Sequence, residues 1–517
     1  MDFKVNRNMV AVNETVYDGI QEQSVELDYV LPDYSPEIFK IVKTKVFPRI
    51  VSRSIAPDRA TYDLIVNISI LYLSENSNAL QCVKQKLNYT KAIEFGKNYE
   101  NVNLALCPKV DYINCRAVNS RRIDLRGAVS IKVKINADRK QEIITDAIGL
   151  NAQLRKEQVK YAGGKLSGEK QMLLSEETEI NSSKPPIQSI VSTDAIIIPN
   201  DKKVIANKVI AKGDVNAKIL YSCEKDGNPS LEPLEISIPY SQIIDIEGVD
   251  ENYNVAVSPA LSNIESTATG GTDGAFRKIS IEITILFTVK ASKHDTTEIV
   301  TDAYSTSFPC EFSTSKIRLE TSPVSVRETT SIKSDVQVTE GEITGVHDVW
   351  TDVTNVNVLS GDGEFTVTGT LHNTVIATNS ESTPFTIDTS QPFEYSIAYD
   401  SVTPYSTIDV DITPAGTQYT LNTGSSISLK TDLRIAATIT NSEEYDALTD
   451  LQIDSTIPLE RDGDYALKLY YGNEGESLWD IAKRYNSSVD SIIEDNEELE
   501  NISCLATNSM ILIPIFS

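Results

Sequence analysis

Residues 70–95, ILYLSENSNALQCVKQKLNYTKAIEF, return at 219–246 as ILYSCEKDGNPSLEPLEISIPYSQIIDI, the second copy carrying a short hairpin insertion. Upstream, SPEIFKIV at 35–42 aligns with PPIQSIV at 185–191 at the offset that relates 70 to 219. This sets Pro36, Ile38, Ile41 and Val42 over Pro185, Ile187, Ile190 and Val191. Downstream, EIITDA at 142–147 recurs as EIVTDA at 298–303 and as DALTDL at 446–451. Ile343, Val346 and the VIA at 375–377 keep the same order a third time. Separate segments agreeing on one offset are hard to obtain by chance. The period is that of a whole domain and far too long for a solenoid. Three tandem units are predicted, at 1–155, 170–312 and 315–457, each with its own core.

Each unit reads as strand. ISIEITILFTV (279–289) puts Ile279, Ile281, Ile283, Ile285, Phe287 and Val289 on one face, and VSIKVKI (129–135) and TIDVDI (407–412) alternate likewise. Period-two runs between Gly, Asn, Asp and Pro turns indicate antiparallel sheets or a β-sandwich. A short helix is expected in the first and second units; in the first, at 35–42, Ser35 is its N-cap, Pro36 lies in the first turn and Ile38, Ile41 and Val42 face inward. The TDA segments read as closing turns. The glycine-rich ATGGTDGAF (268–276) reads as a hairpin, since a phosphate cradle would need a following helix and a lysine.

Residues 465–517 follow a different pattern. Leu467 and Leu469 alternate in a short strand. Ser477 then precedes Leu478, Ile481, Ala482 and Tyr485, the spacing of an amphipathic helix, with Asp480 in the first turn. A second cap at Ser487 or Ser488 opens a helix with Val489, Ile492 and Ile493 inward, and MILIPIF closes the chain as a strand ended by Pro514. The order is β-α-α-β. The fold class is therefore mainly β: three tandem β domains and a small βααβ domain.

Bulk properties exclude several functions. The 517 residues carry a net charge of −27, which opposes the counterion release that nucleic-acid binding requires. No apolar run approaches the ~20 residues of a membrane helix, and no secretory signal is evident at MDFKVNRNMVAVNETV, so direct membrane insertion is not expected. The six cysteines are scattered without a C-x-x-C pair and read as reduced and mostly buried. His294, His347 and His372 have no metal-site companions, and neither a nucleophile elbow nor a phosphate-loop motif occurs. Glu176-Glu177 and Glu443-Glu444 read as solvated surface, and Trp350 as core. No enzyme activity, cofactor or metal is expected.

The proline-started PEIFKIV, the ILY strand and the TDA segment together resemble the SPOCS domain of bacterial spore coat morphogenetic proteins. GESLWDIAKRY, IIEDN and ILIP in sequence resemble a LysM domain. LysM domains bind N-acetylglucosamine-containing glycans in a shallow groove. The resemblance places that groove at Gly475, Glu476, Ser477 and Leu478 of the first loop and Ile493, Asp495 and Asn496 of the second. Trp479 and Leu467 stand beside it, either as core or as partner contacts. The module has three basic residues against nine acidic ones, a net charge of −6, which suits a protein partner. The combination implies a coat scaffold in the mother-cell cytoplasm at the outer forespore surface. Its LysM-like module would dock on the spore morphogenetic ATPase of the coat basement layer, and its β domains on other coat proteins. The alternative is a peptidoglycan tether of the wall or cortex.

Overall fold

The structure is a computed structural model that describes residues 3–75, 79–96, 99–225, 227–270, 276–338, 342–361, 363–399, 406–423, 426–460, 466–500 and 502–515. Strand makes up 79 % of it and helix 3 %, so the chain is mainly β with a small helical module at its carboxyl end.

The first unit holds β1 (Lys4–Val30), β2 (Ile38–Ile55), β3 (Arg59–Ser74), β4 (Leu80–Glu94), β5 (Glu100–Asn119) and β6 (Arg122–Ile148). The second holds β7 (Ala152–Glu179), β8 (Ser189–Ile205), β9 (Lys208–Lys225), β10 (Asn228–Asp245), β11 (Asn254–Gly270) and β12 (Phe276–Ser305). The third holds β13 (Cys310–Glu320), β14 (Val324–Gln337), β15 (Ile343–Ser360), β16 (Glu364–Asn379), β17 (Pro384–Ala398), β18 (Thr407–Thr423), β19 (Ser426–Thr440) and β20 (Ser442–Ile453). All three repeat one antiparallel topology. An outer sheet runs β1-β6-β5, β7-β12-β11 or β14-β19-β18, and a meander runs β2-β3-β4, β8-β9-β10 or β15-β16-β17. In the third unit the long outer pair is interrupted around Pro323 and Asn441, so its far end is a separate ribbon, β13-β20. Proline cannot donate to a ladder, which accounts for the break.

Within the first unit the two sheets enclose a core in which Leu64, Val66, Ile68 and Ile70 of β3 meet Ile123, Leu125, Val129 and Ile131 of β6. The units do not stop there. In the repeated ILY segment the flanking residues, Ile70 and Tyr72 or Ile219 and Tyr221, point into their own unit's core. The middle residues, Leu71 and Leu220, point the other way and meet Ile376, Val191, Leu231 and Trp350 in a cluster built from all three units. A strand buried on both faces reads as continuous apolar sequence. The TDA segments do the same at the opposite end. Ile143, Ile299 and Ala447 share one cluster, and Ile144, Val300 and Leu448 share another with Ala147, Ala303 and Leu451. Each unit thus has a core of its own, as expected, but common clusters join all three, which corrects the reading of domains simply in series.

Three further readings are corrected. The TDA segments are β-bulges inside strands, not turns: register skips Thr145, Thr301 and Thr449. Each hydroxyl donates to a carbonyl of the neighbouring strand, at Asn6, Arg155 and Ser313 respectively. Neither short helix forms: in place of the one expected at 35–42 is a turn at Pro32–Ser35 followed by β2. Register skips Phe39 and Val42, and two bulges give a strand the i, i+3, i+4 apolar spacing of a helix. By strand pairing the units run 4–148, 152–305 and 310–453. A boundary at 155 or a start at 170 would cut β7, whose whole length pairs with β12, and a start at 315 would cut β13. Of the cysteines, Cys223 is buried, Cys107 and Cys504 are exposed and the others are half-buried, all free. Residues 271–275 of the expected glycine-rich hairpin lie outside the described residues.

Candidate functional site

The terminal module consists of β21 (Leu467–Gly472), α1 (Leu478–Arg484), α2 (Val489–Glu494), a 3-10 turn at Glu497–Leu499 and β22 (Ser509–Pro514). Leu478, Ile481 and Ala482 of α1 pack on Ile492, Leu499, Leu505, Ile511 and Ile513. Ser488 is the second N-cap, its Oγ accepting from the Ser491 amide at 3.1 Å. Ser487 is buried and donates to the Pro514 carbonyl at 2.8 Å. Beginning α1, Ser477 caps without a side-chain bond.

The expected groove residues divide by fate. Gly475 is exposed with φ +81°, a turn conformation that glycine adopts without strain. The amides of Gly475, Glu476 and Leu478 donate to the carbonyls of Leu505, Asn473 and Ser503. Three of the four backbone donors of the first loop are therefore used inside the module. Glu476 accepts from the Tyr470 hydroxyl at 2.7 Å and lies 3.1 Å from Arg484. The Tyr470 hydrogen bond foremost holds its carboxyl below the usual range. Leu478 is core, and Asn496 is buried. The Asn496 amide donates to the carbonyls of Ile492 and Leu512 and accepts from the Leu512 amide, tying α2 to β22. Neither side chain is open to a partner. Ser477 and Ile493 are half-buried, and Asp495 is exposed beside Glu494, Glu497, Glu498 and Glu500.

Trp479 is half-buried, packed against the β body. Its ring meets Tyr304 edge-on, with centroids 4.9 Å apart, and its indole N–H donates to Asp302 Oδ2 at 2.7 Å. Lys483 Nζ reaches Asp302 Oδ1 at 2.6 Å and lies 5.1 Å from the centre of the Phe312 ring. Tyr304 enters the module's core and donates to the Ser487 carbonyl at 2.7 Å; its burial pushes the phenol well above its ordinary pKa. The helix face of the module is thus seated on the second and third β units.

Its open face is the sheet. Leu467, Leu469 and Tyr471 alternate outward on β21, and Met510 stands opposite Tyr471 on β22. They are 49, 55, 74 and 53 % exposed, a contiguous apolar strip of the kind that marks interaction surfaces. Leu467 was singled out from the sequence; Leu469, Tyr471 and Met510 were not. Period two assigns them a common face but does not say which face is inward. Among the described residues no group of three or more His, Cys, Asp or Glu side chains could hold a metal ion, and no helix is long and apolar enough to cross a membrane.

A family model described as the SipL SPOCS domain matches residues 186–269, which cover β8–β10 and most of β11. A LysM domain model matches residues 473–514. The chain is a SPOCS-plus-LysM protein. No curated protein and no solved structure matches it. Both domains are non-catalytic binding or structural types. Together they mark a sporulation protein whose LysM domain is a peptidoglycan-binding-type module.

Proposed function

We propose that this SPOCS-plus-LysM protein is a non-enzymatic adaptor of spore coat assembly. It would work in the mother-cell cytoplasm at the outer forespore surface, with its LysM domain docking on the morphogenetic ATPase of the coat basement layer. The β units carry that domain and bind other coat proteins. The observation that carries this reading is the outward strip of Leu467, Leu469, Tyr471 and Met510, on a module in which the amides of Gly475, Glu476 and Leu478 are already bonded internally. Large apolar side chains on an otherwise acidic surface suit a protein partner, whereas a glycan groove would need free polar donors.

Tyr304 of the β body completes the module's core, so the test uses the full chain. Immobilised ATPase should retain the wild-type protein and lose at least tenfold in affinity for the Leu469→Glu/Tyr471→Glu double variant, both sites being solvent-exposed. Unchanged retention of that variant would reject the strip as the docking face. Sedimentation with purified peptidoglycan, in the absence of any ATPase binding, would favour a wall or cortex tether instead.

A further inference from the structure

The bulge aspartate recurs in all three units, and each is met by a cation from outside its own unit. Asp146 receives Lys156 Nζ at 2.8 Å, from β7 of the second unit. Asp450 receives Arg7 at 3.4 Å, from β1 of the first. Both cations occupy the same register position, across from the residue just before the bulge: Arg7 faces Ile144 and Lys156 faces Val300. The corresponding residue of β13 is Thr314, which faces Leu448. The third unit therefore offers Asp302 no cation at this position. What Asp302 holds instead is Lys483 and the indole N–H of Trp479, both from α1 of the LysM domain.

We propose that the junction between the second and third units is a docking socket for a helix bearing an indole and an ammonium group, and that the chain's own LysM domain is its occupant. The carboxylate supplies two charge-assisted hydrogen bonds, which exceed neutral ones in strength. Tyr304 and Phe312 supply an edge-on ring and a cation–π face. The other two junctions cannot take the helix in this way, because Lys156 and Arg7 already fill their carboxylates. The domain then works seated, its helix face closed and its sheet face outward. This inference stands apart from the identity of any partner and is tested without one.

Thr314 is exposed, so Thr314→Lys should fold and place an ammonium on Asp302, displacing Lys483. Asp302→Asn removes the charge while keeping the shape. Of the two tryptophans, Trp350 is buried, so acrylamide quenching of full-length protein reports Trp479. Both variants should raise the quenching constant severalfold and increase the radius of gyration in solution scattering. Arg7→Thr, which empties the junction between the third and first units, should change neither. Unchanged quenching in either Thr314→Lys or Asp302→Asn would overturn the socket, and so would an equal rise in Arg7→Thr, since that would signify general loosening.

Discussion

Asn496 shows why a single residue resists reading from sequence. An asparagine following a helix is equally at home at a groove rim or folded back into a core, and spacing does not separate the two. Here its amide closes three hydrogen bonds between α2 and β22 out of contact with water. Asn496→Ala would leave the Leu512 amide and two carbonyls short of partners, at about 1–3 kcal/mol for each buried group left unpaired. The LysM domain should lose at least about 3 kcal/mol, measured as accelerated amide exchange across β22 in the full chain. The amphipathic stripe of α1 was legible, because an i, i+3, i+4, i+7 pattern admits one inward face on a helix. Trp479 sits beside that stripe, and no pattern within the module could announce that its partner lies on a strand far back in the chain.

Elements, more than residues, carry the repeat. The ILY and TDA segments were visible as recurrences, but their physical meaning lay in strand register, which sequence leaves open. Matching bulges in the meander's first strand hold Val42 in the first unit and Val191 in the second; both turn into the shared cluster. The third unit has His347 there. Its Nδ1 lies 3.1 Å from the Leu231 carbonyl of the second unit, which fixes it as a donor, leaving Nε2 to accept from Thr378 at 3.3 Å. Burial lowers its pKa, outweighing the Leu231 hydrogen bond and the nearby carboxylates of Glu232 and Asp348. A depressed histidine contributes stability that is complete above its unfolded value of 6.5 and fades as pH falls through the folded one. Acidification below about pH 6.5 should therefore loosen the contact between the second and third units. His347→Val should remove that dependence, which melting temperatures of both proteins across pH 4–8 would reveal. Within the ILY strand, Leu71→Ala and Ile70→Ala should each cost about 2–5 kcal/mol. The former should expose the neighbouring units' faces to exchange, the latter chiefly its own sandwich.

For the whole molecule, three units were legible in the sequence but their dependence on one another was not. A pattern of inward residues says that a face is buried without saying whether its cover lies in the same unit or the next. Strand period assigned Ile70 and Tyr72 to a common face; nothing in it revealed that Leu71 is also buried, against Leu220 and Ile376. Leu71, Leu73, Leu80, Val191, Leu220 and Ile376 are each under a tenth exposed in the assembled chain. At roughly 1.5–3 kcal/mol for each large aliphatic side chain removed from water, such junctions rival the net stability of an ordinary domain. The second unit excised as 152–305 should consequently uncover Val191, Leu220 and Leu231 at one end and Ile299 and Val300 at the other, apolar faces that a soluble monomer rarely leaves open. It should self-associate and bind a hydrophobic dye, whereas the full chain unfolds in a single cooperative transition. Analytical ultracentrifugation of the excised unit, set beside calorimetry of the intact protein, decides the matter. A monomeric, dye-silent fragment with its own sharp transition would restore the picture of independent domains in series.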